Sequence, residues 1–164
     1  MPPHMKLFIA LATLLPSIAL ADTPGPTSLG TFGDWTAATY GAGAKKACYA
    51  FTKAQASTET IPNRGDVLLV VTERASGHDE VTLAAGYTYP KNPTVTLDAG
   101  GPKIAFYTQG ATAFTTSGTQ AVAAFQQGSL AIAKSSDPTG GTVTDTFSLA
   151  GFSDAYSAIT TACP

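Results

Sequence analysis

Residues that usually carry enzyme chemistry are scarce in this sequence. Its 164 residues include two cysteines, two histidines and one tryptophan. His4 stands at the very start, which leaves His78 as the only histidine in the rest of the chain. Two cysteines and one histidine cannot make a tetrahedral metal site on their own. No G-x-S-x-G nucleophile motif occurs, and no glycine-rich loop leads into a helix as a phosphate cradle. The formal net charge is −2, and no basic stripe is present, which argues against a nucleic-acid partner. No internal period of the length used by solenoids or propellers repeats.

What is present begins with a leader. Residues 1–21 read MPPHMKLFIALATLLPSIALA. Lys6 supplies a positive start, Leu7 to Leu20 an apolar core, and Ala19-Leu20-Ala21 an A-x-A cleavage site. This order predicts a signal peptide over 1–21 and a mature chain beginning at Asp22. A retained anchor or a buried helix is the alternative, and Met5-Lys6 offers a second translation start. No later run is apolar enough for a membrane span, so none is expected in the mature chain. Residues 22–31, which open with the Pro/Gly-rich DTPGPTS, read as a flexible tether. Residues 32–164 read as one domain, since about 140 mature residues is an ordinary single-domain length.

Export bears on the two cysteines. Cys48 and Cys163 in an oxidising compartment favour a disulfide over two free thiols or an intermolecular pair.

The C-terminal stretch is the most regular. From Thr142 to Leu149, Val143, Phe147 and Leu149 alternate with Thr142, Thr144, Thr146 and Ser148, the period of a half-buried strand. Asp145 breaks the rule by falling on the apolar face. Gly151 allows a turn, and Ser153 is expected as the N-cap of a short helix. Phe152, Tyr156, Ile159 and Cys163 then follow helical spacing, which turns the Cys163 thiol inward.

Further strands are expected over 47–54, 67–72, 80–87, 94–97, 103–108, 112–115 and 129–134, with a hairpin connection at 75–79. A helix capped by Thr119 is expected over 119–127. The fold predicted is mainly β: an antiparallel β-sandwich-like single domain with two short helices, one of them C-terminal.

Few side chains invite a functional role. His78, Asp79 and Glu80 are consecutive and read as a solvated turn rather than a metal or acid–base site. Lys45 and Lys46 read as a solvated turn rather than a contact patch. Tyr87 and Tyr89 suit sheet packing, with a sugar- or peptide-binding surface as the alternative. Trp35 reads as a core anchor. Asp145 on an apolar face needs a cation, and Arg64 or Arg74 is the expected partner in a structural ion pair.

Several motifs occur in a fixed order: FGDW at 32–35, CYAFTKA at 48–54, PNRG at 62–65, VTERA at 71–75, EVTLAAGY at 80–87 and DTFSLAGFSDAYSAITTAC at 145–163. Together they resemble the invasion associated locus B family of exported proteins from Gram-negative α-proteobacteria. The resemblance implies a β-rich periplasmic or envelope protein with no enzymatic activity and no cofactor, linked in some members to host-cell invasion. Its partner would be an unidentified protein or envelope component. Some members carry an extra N-terminal cysteine pair, which this chain lacks. A small sugar- or peptide-binding β-sandwich module is the alternative function, and a hydrolase built around His78 the third.

Overall fold

The computed structural model describes residues 25–164. The expected signal peptide, and the first residues of the expected tether, lie outside the described residues. The chain runs β1 (Thr27–Phe32), β2 (Trp35–Tyr40), β3 (Ala47–Lys53), β4 (Ala56–Ser57), β5 (Leu68–Arg74), β6 (Gly77–Ala84), β7 (Val95–Asp98), β8 (Ile104–Gln109), β9 (Thr112–Phe114), α1 (Gly118–Gln127), β10 (Leu130–Ser136), β11 (Thr142–Ser148) and α2 (Phe152–Ala162). The fold is therefore mainly β with two α-helices, the second C-terminal.

All strands belong to one antiparallel sheet, in the order β1-β2-β3-β5-β6-β9-β8-β7-β10-β11-β4. β4 follows β3 after only Ala54 and Gln55, yet stands at the far end of that order. The sheet must therefore fold over on itself. The crossover is stitched by backbone bonds: Ala54 N–H to Val67 O (3.0 Å) on one limb, then Gln55 N–H to Thr146 O (2.8 Å) on the other. The two limbs share one core. Leu69, Val71, Val81 and Leu83 come from one side, Leu97, Ala131, Ala133 and Phe147 from the other. The sandwich-like packing thus arises within a single continuous sheet.

Both helices complete this core. α1 buries Ala121, Val122 and Phe125, and α2 buries Phe152, Ala155 and Ile159, each set recurring at helical spacing.

Local features differ from expectation, among them β2 and β4, which were not expected as strands. Thr27–Phe32 is a strand paired with Trp35–Tyr40, so ordered structure covers residues assigned to the tether. The Pro/Gly content before it hid a strand whose partner lies just beyond the Gly33-Asp34 turn. The 75–79 connection is shorter, because β6 already begins at Gly77. α1 begins at Gly118 with Ser117 in the N-cap position, and Thr119 sits inside the helix. α2 is preceded by Gly151 at φ +86°, with Ser153 exposed in its first turn.

The last difference has a steric cause. A Cβ on Gly151 would lie 2.0 Å from Phe32 O, and one on Gly33 would lie 2.6 Å from Ala150 O. The Gly33 and Gly151 turns are pressed together, and only glycine fits the left-handed turn at that distance.

Candidate functional site

Arg64 is the centre of the most extensive buried polar cluster. It leaves the loop after β4 and points between the limbs. Its Nη1 donates to Asp145 Oδ1 at 3.0 Å and its Nη2 to Asp145 Oδ2 at 2.7 Å. Its Nε donates to Ala85 O at 2.8 Å. Ser57 adds a hydroxyl bond to Asp145 Oδ1 at 2.6 Å. The Asp145 side chain is 1% exposed and that of Arg64 9%. The guanidinium carbon also lies 5.2 Å from the centre of the Tyr87 ring. One side chain thus ties together the 62–65 loop, β4, β11 and the segment after β6. Arg74 is elsewhere: it pairs with Glu80 at the surface.

Two tyrosines flank this cluster. Tyr87 donates its hydroxyl to Ser136 O at 3.0 Å. Burial, reinforced by Tyr89 and opposed by Arg64, pushes the Tyr87 phenol up to about 12. Tyr89 is 7% exposed, and burial raises its phenol too, with Ser135 opposing. The Tyr89 and Ser135 hydroxyls are close enough to influence each other, yet neither makes a well-formed hydrogen bond. Both rings therefore serve as packing against the pair and the core.

His78, Asp79 and Glu80 turn three ways. His78 Nδ1 lies 2.7 Å from Glu73 Oε2. Asp79, at φ +54°, gives its backbone N–H to Glu73 Oε1 (3.0 Å). The Asp79 carboxylate accepts from Tyr156 Oη (2.6 Å) and Thr119 Oγ1 (2.8 Å). Burial and that bond to Asp79 raise the Tyr156 phenol. Glu80 takes Arg74. The result is a latch from the β5–β6 hairpin to both helices.

A histidine held by a carboxylate is half of a hydrolytic triad. Here no serine, threonine or cysteine hydrogen-bonds the other ring nitrogen among the described residues, and the ring is 59% exposed. Sequence reading passed over Glu73, which is 1% exposed. The signal was available: Leu69, Val71 and Glu73 alternate along β5 just as Val143, Asp145 and Phe147 do along β11.

The chain ends are tied by Cys48 and Cys163, joined by an S–S bond of 2.12 Å across 115 positions. Lys46 reinforces the same corner by donating to Ala162 O at 2.8 Å, where the α2 carbonyls are otherwise unpaired. Trp35 is fully buried, donates Nε1–H to Ser148 O at 3.0 Å, and meets Phe152 edge-on with centroids 4.8 Å apart.

These contacts join motifs that lie far apart in the sequence. FGDW docks on the SLAGF segment, PNRG on AAGY and on Asp145, and CYAFTKA on the terminal cysteine. No group of three or more potential metal ligands converges among the described residues. No helix there is long and apolar enough to cross a membrane.

The architecture and its inward-facing ion pairs define a disulfide-closed, single-sheet β domain with a docked C-terminal helix. A family model described as invasion associated locus B (IalB) protein matches residues 35–160, most of the chain, and the protein belongs to that family. Among solved structures, the invasion associated protein B of Bartonella henselae is similar at TM-score 0.61 and 19% identity. That match covers 83% of this chain and 97% of that one, and it is a likeness of fold. No curated protein matches the sequence.

Proposed function

We propose that the protein is an exported, non-enzymatic component of the periplasm or envelope that acts through surface interaction, contributing to contact with host cells. Residues 1–21 are its leader in this reading, and the mature chain begins at Asp22. The observation that carries the non-enzymatic part is how the ionisable side chains nearest a catalytic pattern are engaged. Arg64 holds Asp145, His78 meets Glu73, and Asp79 is held by Tyr156 and Thr119. Each joins two elements of the fold, so its chemistry is used internally. Family membership and the described invasion association of the Bartonella protein support the envelope and host-contact part. The ligand-binding alternative gains nothing from Tyr87 and Tyr89, whose rings pack against Arg64 and the core.

The test is expression of the full chain in a Gram-negative host, followed by fractionation, N-terminal sequencing and thiol titration. The reading expects a periplasmic chain starting at Asp22 with no free thiol. Purified mature protein should then bind cultured host cells saturably. A full-length chain held in the cytoplasm would overturn export, and absence of saturable binding would overturn host contact.

A further inference from the structure

The single sheet has two ends, and they are built differently. β4 closes one end with only two residues. A strand that short protects a sheet edge, which otherwise offers a row of unpaired backbone groups. β1 closes the other end with six residues, TSLGTF, which include neither charge nor proline. Among the described residues its backbone bonds to β2 alone. Phe32 and Trp35 flank the Gly33-Asp34 turn and exchange the ladder bonds there, so Thr31 turns its N–H and C=O to the open side.

α2 runs beside this open edge. It packs across β2, β3 and β1, and a groove of about 500 Å³ lies between it and β1. Leu29 and Phe32 line one wall, Ala158 and Ala162 the other, all four partly buried against the core. On a regular strand, residues three apart point to opposite faces. Leu29 and Phe32 nonetheless share the groove, because the ladder slips between Ser28 and Gly30. Such a bulge re-aims a side chain. It also confines regular pairing to the end of β1 next to the turn, which suits a short segment. Asp154 is the only charged residue lining the groove, and it has no ion-pair partner among the described residues.

These features select an occupant. An outward N–H and C=O beside an apolar trough fit an extended main chain, whose alternate side chains drop into the trough. Asp154 favours a lysine or arginine on that segment. β1 of a second copy fits poorly, because it carries no cation and its apolar side chains are already used. Leu29 and Phe32 pack on their own core, and the Phe32 ring turns back to within 3.2 Å of where a Cβ on Gly30 would stand. The start of the mature chain fits no better, since Asp22 to Pro26 (DTPGP) leads straight into β1 and Pro24 and Pro26 have no N–H to pair.

We propose that β1 and α2 form a docking groove for a short extended segment of another protein, apolar at alternate positions and bearing a basic residue, which joins the sheet as a further strand. The groove is a property of the fold and stands whether or not the partner belongs to a host cell.

The test uses the mature protein and a panel of capped peptides about seven residues long, a common strand length. Each has valine at alternate positions and one lysine, moved through the remaining positions in turn. Amide chemical shifts followed by NMR should move saturably at Thr31 and over Phe152–Ala162 for at least one peptide, below about 1 mM. The same peptide N-methylated at alternate residues on its pairing edge should bind at least about tenfold more weakly, because it lacks main-chain donors. Asp154→Lys, at an exposed position, should reverse the preference between that peptide and its glutamate counterpart. No shift at β1 with any peptide up to about 1 mM overturns the proposal, even where the protein binds cells. An N-methylated peptide that binds like its parent overturns it too, as does an Asp154→Lys variant that keeps the lysine preference. Shifts at β1 that depend on protein concentration alone would assign the edge to a second copy and overturn it as well.

Discussion

Arg64 grips Asp145 through two parallel hydrogen bonds across 81 positions of sequence, with almost no solvent at either side chain. Taking two charges out of water is costly, and their mutual attraction offsets that cost only when geometry and remaining hydrogen bonds are satisfied. Here Ser57 and Ala85 O complete the set. Asp145→Asn should lower stability by about 3–5 kcal/mol, because it leaves the guanidinium buried without its counter-charge. Replacing both partners with apolar residues, Arg64→Met with Asp145→Leu, should recover much of that loss. Urea midpoints of the three variants check this; an Asn variant with the parent midpoint refutes it.

The disulfide offers a second, independent handle. The oxidised chain should be about 2 Da lighter than the reduced one, the two hydrogens lost on bridging. In the chain-entropy model a loop of about 100 residues contributes roughly 4.7 kcal/mol. Cys163→Ser should lower the melting temperature accordingly and loosen α2 first, since the bond fastens that helix to β3. Hydrogen exchange would show this as lost protection over Phe152–Ala162. A loss over α2 no greater than the loss in the sheet would contradict it.

Trp35 links the same helix to the sheet from the other side. Its native fluorescence should be blue-shifted and move red on unfolding. Trp35→Phe removes the donor to Ser148 O and leaves a buried acceptor unpaired, at a cost of about 1–3 kcal/mol. Gly151→Ala should be destabilising too, because its Cβ would overlap Phe32 O. A Gly151→Ala variant of parental stability would show that the two turns can separate freely.

Which of these features could be read from sequence follows from how local their signals are. Alternation along β11 is a property of seven adjacent residues, and it exposed Asp145 as an inward carboxylate before any partner was known. The same logic applies to Glu73, which follows Leu69 and Val71 on the inward face of β5, although Thr72 and Arg74 beside it are polar and make that end of the strand read as surface. The choice between Arg64 and Arg74 was not local. Arg64 is outside any strand, and only the folding of one sheet limb over the other brings its loop to β11. β1, β2 and β4 were illegible for a related reason: each is weakly patterned and is fixed by a partner strand. Ser153 was expected to cap α2 because a helix N-cap is ordinarily a side-chain matter, whereas Gly151 takes that position and the backbone of Phe32 sets the requirement.

Tyr87 contributes to the alkaline limb of stability, alongside Tyr89 and Tyr156, whose phenols burial also raises. Burial holds its folded phenol at about 12, above the ordinary value of 10.0. The unfolded chain therefore loses this proton first, and above pH 10 it binds fewer protons than the folded one. Stability from this group is fully present below the unfolded value and is lost as pH rises through the folded one. Tyr87→Phe cannot ionise, so its unfolding midpoint should fall less steeply with pH between 10 and 12 than that of the parent. The hydroxyl deleted also frees Ser136 O, so the variant should be somewhat less stable at pH 7 while losing less on going alkaline. Parallel curves for the two proteins across that window would show that Tyr87 titrates at its ordinary value, and that its ring is open to water rather than packed under Arg64.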